Sequence, residues 1–185
     1  MSDLRAWIVE FADSEDFSEW ARGAAAVQLI DAVDSMARGQ FGIPDHSFER
    51  FIWNLQYAAG EIVWHESWPE PKRKELIRNL MTVLCKAFNQ HSQPSPATFN
   101  FWDALIEVYE REGRPDSAKA VHDELYFALC QQLRVREEGL QMSALHGLNH
   151  LRDVRATDYI ESAAGDFAST AVIRYADEAK RFRSA

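Results

Sequence analysis

Only two cysteines, Cys85 and Cys130, occur in 185 residues, and they are too far apart to make a Cys-x-x-Cys pair or a closely spaced disulfide framework. They read as reduced core thiols of a cytoplasmic protein. No apolar run approaches the roughly 20 residues that cross a bilayer. The N-terminal stretch 1–7 has no basic region leading into an apolar one, so neither export nor membrane insertion is expected. Basic residues are outnumbered, with 20 Lys and Arg against 29 Asp and Glu and a formal net charge of -9. That balance disfavours nucleic-acid binding, which draws on Lys and Arg neutralising phosphates. A glycine-rich phosphate loop is missing, as is a Gly-x-Ser-x-Gly nucleophile elbow. Alternating apolar and polar stretches closed by hairpin turns are missing as well, which leaves little room for a sheet.

What is present is apolar residues at three- and four-residue spacing along almost the whole chain. Glycine and proline cut this pattern at 39–44, 68–71, 91–96 and 112–115, with softer breaks at Gly139, Arg155 and Gly165. The expectation is one all-α domain over residues 1–185, with about eight or nine helices near 3–11, 17–38, 47–66, 71–90, 97–110, 116–136, 141–154, 158–164 and 166–183. Asp16-x-x-Glu19 reads as a capping box for the second of these. Short connections between helices of this length make antiparallel neighbours. Stacked hairpins and a closed bundle both satisfy the pattern. Helices apolar on two sides favour stacking, because an outer helix of a simple bundle needs one apolar side.

The helix at 47–66 shows this best. Phe48, Phe51, Ile52, Leu55, Ala59 and Ile62 share one face, while Trp53, Tyr57 and Trp64 align opposite, with Trp68 just beyond. Trp and Tyr carry much of the binding energy at interfaces. This stripe is therefore the candidate partner surface if exposed, and an inter-hairpin seam if buried.

Residues 141–154 carry the other candidate. At about 100° per residue, His146 and His150 fall on one flank of a helix beside Ser143 and Asp153, away from the apolar face of Leu140, Ala144, Leu148 and Leu151. Two imidazoles and a carboxylate can hold zinc and leave a position for water. The metalloprotease pattern needs Glu after the first His, and Gly147 stands there instead. The plainer reading makes both histidines polar groups at a helix junction and Gly147 a point of close helix approach. Elsewhere, Glu61, His65 and Glu66 form an acidic and imidazole cluster, but Glu-x-x-His, needed for a carboxylate-bridged di-metal bundle, does not occur. His46, His91 and His122, and the run Lys72-Arg73-Lys74, read as solvated.

The segment Ser143-Ala-Leu-His-Gly-Leu-Asn-His-Leu151, with Tyr159-Ile-Glu-Ser-Ala-Ala164 after it, resembles the paired helices of HEAT-like repeats. It is also similar to helices of uncharacterised bacterial proteins. The resemblance covers about 25 residues and implies a short α-solenoid that acts as a protein-interaction scaffold. It transfers no functional residue, since such families share packing positions rather than active sites. The expected function is a non-catalytic scaffold without cofactor, binding a protein partner of basic character, as an adaptor or toxin-neutralising protein would. The alternative is a zinc-dependent hydrolase using His146, His150 and Asp153.

Overall fold

The computed structural model describes residues 4–16, 18–40, 47–90, 96–111, 113 and 116–181. Among them are ten α-helices and no strand: α1 (Leu4–Asp13), α2 (Gly23–Ala37), α3 (Phe48–Trp64), α4 (Glu70–Gln90), α5 (Pro96–Phe99), α6 (Phe101–Arg111), α7 (Lys119–Leu133), α8 (Glu138–Leu151), α9 (Ala156–Ser162) and α10 (Thr170–Arg181). The all-α expectation holds, and none of these helices is long and apolar enough to cross a membrane. The breaks expected at 39–44, 91–96 and 112–115 fall mostly outside the described residues, as do His46 and His91.

Helix boundaries depart from the periodic reading where a local interaction competes with the helix. Asp16 caps nothing in α2. Its Oδ1 instead accepts the Ser18 amide at 3.0 Å and the Ser18 hydroxyl at 2.6 Å, and a 3-10 turn at Glu19–Ala21 precedes α2. The helix expected at 97–110 divides at Asn100 into α5 and α6, which raises the number of helices to ten. Near Gly139 the break comes earlier than its glycine. Glu137 is the N-cap of α8, its carboxylate accepting the amides of Gly139 (3.1 Å) and Leu140 (2.5 Å). Gly139 is thus inside the first turn, where a Cβ would collide with the Phe88 ring.

The helices alternate between two rows. In one, α1 packs on α3, α3 on α6, α6 on α8 and α8 on α10; in the other, α2 packs on α4 and α4 on α7. α7 also lies against α8, and α3 against α4, so the rows share one continuous core running from Ile8 to Ala176. An inner helix of a row touches neighbours on two sides, which is why α3 is apolar on both.

Buried and half-buried polar side chains satisfy the helix ends this packing covers. Asn54 on α3 donates to the carbonyls of Phe11 (2.8 Å), Ala12 and Ser14 at the end of α1. Lys86 on α4 donates to Met36 and Ala37 at the end of α2. Gln141, fully buried on α8, donates to Leu133 and Asp166 and accepts the Ala168 amide, tying the end of α7 and the approach to α10 to one side chain.

Candidate functional site

α6 and α8 approach each other at Gly147. A Cβ there would sit 3.0 Å from Trp102 Cβ and 2.8 Å from Leu129 Cδ2, so a side chain would have to displace both. The register is locked by Trp102, whose indole donates to Gln132 Oε1 at 3.0 Å while the Gln132 amide donates to the Leu140 carbonyl at 2.9 Å. The residue before Gly147 is His146 and the one after Trp102 is Asp103. The close approach therefore brings an imidazole and a carboxylate together from positions 43 residues apart.

His146 Nε2 lies 2.9 Å from Asp103 Oδ2, and its Nδ1 lies 2.7 Å from the Tyr175 hydroxyl on α10. Phe99 packs on the His146 ring with centroids 4.8 Å apart, and the His150 ring stands edge-on to it at 4.7 Å. One ligand atom each from Asp103, His146 and His150 lie within 4.8 Å of one another. Asp103 Oδ1 is buried and accepts no hydrogen bond. Burial, with the charges of Asp103 and Glu178, pushes the Tyr175 phenol above its ordinary pKa and keeps it protonated.

Asp153 does not belong to this group. Helix α8 ends at Leu151, and Arg152 turns the chain into the left-handed region at φ 53°, so the helical flank that would have aligned Asp153 with the histidines stops two residues short. The carboxylate beside His146 and His150 is Asp103, which helical spacing within one segment cannot reveal.

Asp153 instead anchors a second cluster with His122 and Asp123. The Arg155 guanidinium fills it, at 2.9 and 2.5 Å from the two Asp153 oxygens and 2.6 Å from Asp123, and Arg155 also lies over the Tyr126 ring at 4.2 Å. Burial raises the Asp153 pKa, but hydrogen bonds from the Arg155 side chain and amide and the Arg155 and His122 charges outweigh it, so the carboxyl ends below its ordinary value. Asp123 shows the same balance. His122, expected in solvent, is half-buried, and desolvation lowers its pKa despite both aspartates.

The aromatic stripe of α3 separates into three environments. Trp53 is 43% exposed and meets Tyr57 edge-on at 5.9 Å. Tyr57 is half-buried, and burial together with the charges of Glu107 and Asp103 raises its phenol pKa. Trp64 is buried, the seam side of the two alternatives, because α6 covers the last turn of α3. Its indole donates to the Leu105 carbonyl at 2.5 Å and stacks on Tyr109 at 4.4 Å. Trp68 packs half-buried against the core, beside a groove of about 700 Å³ lined also by Arg22, Glu61 and His65. Two polar groups of this groove are engaged: Glu61 pairs with Arg111 at 2.5 Å, and His65 Nδ1 accepts the Ser67 amide.

The basic run also differs from expectation. Lys72 pairs with Glu75 and Lys74 with Glu124, but Arg73 is buried. Both thiols are free, and burial raises their pKa values, that of Cys130 to about 11, which favours the protonated thiol. Comparison with known protein families, curated proteins and solved structures finds no match.

Proposed function

We propose that the protein is a non-catalytic scaffold of stacked, HEAT-like helical hairpins, and that it holds a basic protein partner on the α3–α6 face, as an adaptor or toxin-neutralising protein would. The two-row succession of helices supports the stacked arrangement, since the helices of each row pack mainly on the next in that row. The observation that carries the binding reading is Trp53, a large aromatic partly exposed on α3, with Tyr57 beside it and Asp103 and Glu107 within electrostatic reach of Tyr57. An aromatic anchor rimmed by carboxylates complements an apolar pocket rimmed by Lys and Arg.

A hydrolase reading finds less support. The metalloprotease pattern puts Glu directly after the first histidine as general base, and Gly147 stands there.

The test is capture of the partner from lysate, its identification by mass spectrometry and a binding isotherm on the purified pair. Trp53→Ala should weaken binding at least about tenfold, and added salt should weaken the wild-type complex. Phe127→Ala, which removes an aromatic of similar exposure on α7 (54%), should leave affinity unchanged. Wild-type affinity in Trp53→Ala would remove the α3–α6 face from the account.

A further inference from the structure

We infer that Asp103, His146 and His150 form a binding site for a divalent first-row transition ion of the zinc type. The set has the composition such ions select, two imidazoles and a carboxylate, and it is presented by α6 and α8, whose spacing Gly147 and Trp102 fix. Ligands about 2.1 Å from a tetrahedral zinc lie about 3.4 Å apart. The three donor atoms here, with Nε2 and Oδ2 at 2.9 Å and all within 4.8 Å, reach that spacing by small side-chain rotations.

A second observation points the same way. Asp103 Oδ1 is buried without a hydrogen-bond donor, although buried carboxylate oxygens are ordinarily paired. A cation at Asp103 supplies the positive charge this carboxylate lacks. The second histidine–carboxylate cluster offers a control built into the same molecule, because Arg155 already occupies it with a fixed positive charge.

Tyr175 is the positioning residue. With no ion bound, His146 donates through Nε2 to Asp103 and accepts the Tyr175 proton at Nδ1. With an ion on Nε2, the ring proton moves to Nδ1 and donates to the Tyr175 oxygen. A hydroxyl serves both states because it can donate or accept. Three protein ligands leave a fourth position for water.

The experiment is a Co²⁺ titration of the full chain, purified without a histidine tag and followed by visible absorption. The expected result is one equivalent bound with the intense bands of tetrahedral cobalt, displaced by Zn²⁺. Asp103→Asn and His150→Ala should each weaken binding at least about tenfold, while His122→Ala binds as wild type. Tyr175→Phe should shift the cobalt bands and weaken binding about tenfold, a spectral change that loss of packing alone would not produce. His150 is exposed at the end of α8, so its variant tests the site even where His146→Ala does not fold. Absence of tetrahedral bands, unchanged binding in His150→Ala, or loss of binding in His122→Ala would each overturn the assignment.

Discussion

The clusters at Asp103 and Asp153 are made from the same kinds of side chain, and Arg155 sets them apart. At Asp153 a guanidinium from two residues along the chain bridges two carboxylates, with Lys119 also paired to Asp123, and joins α7 to the link between α8 and α9. At Asp103 the imidazole of His146 meets one carboxylate oxygen, and the other oxygen is buried with no donor. On the proposed assignment, Arg155 makes the Asp153 cluster a structural strut, and the lack of such a cation makes the Asp103 cluster a ligand site.

The contrast depends first on the close approach of α6 and α8. Gly147→Val should cost about 3 kcal/mol by overpacking against Trp102 and Leu129, read from urea unfolding, and should abolish cobalt binding. In an open helix, replacing Gly gains up to about 1 kcal/mol, so a neutral or stabilising result would mean that the helices are not held at this distance.

Breaking the strut comes next. Asp153→Asn should cost about 2 kcal/mol, less than the about 3–5 of a wholly buried pair because the Arg155 side chain is partly solvated. Its wild-type counterpart should show the same loss in acid. Asp153 and Asp123 have folded pKa values below the ordinary 3.8, so the unfolded chain takes up protons first as the pH falls. Their contribution is whole above 3.8 and disappears as the pH drops through the folded values. His122, with a folded pKa below 6.5, acts in the same direction beginning near pH 6.5. The melting temperature should therefore fall from neutral pH into acid, and less steeply in Asp153→Asn. Equal slopes in the two proteins would separate the strut from acid stability.

The smallest effect belongs to the other cluster. In metal-free protein Asp103→Asn should change stability by no more than about 0.5 kcal/mol, since it alters one partly exposed hydrogen bond to His146 and neutralises the carboxyl that carries the unpaired oxygen. A cost comparable to Asp153→Asn would make Asp103 a strut as well.

The all-helical fold was legible because burial on two sides of α3 left the apolar spacing of Phe48, Phe51, Ile52, Leu55, Ala59 and Ile62 intact, and all six are buried. Gly147 was legible as a contact point for the same reason. The site was half legible. His146 and His150 lie within one helix, so their spacing alone places them together. Asp103 comes from a helix 43 residues earlier, and its position depends on tertiary packing that no single-segment periodicity encodes. Asp153 leaves the helical flank of the histidines because one left-handed residue, Arg152, ends the periodicity of α8. Trp64 and Trp53 differ because α6 covers one end of α3 and not the other, again a matter of packing rather than spacing.

Anomalous diffraction at the zinc edge, from crystals of untagged protein grown with Zn²⁺, tests the difference between the clusters most directly. The account predicts a peak between Asp103, His146 and His150 and none between His122, Asp123 and Asp153. A peak at the Arg155-filled cluster, or none at Asp103, would contradict it.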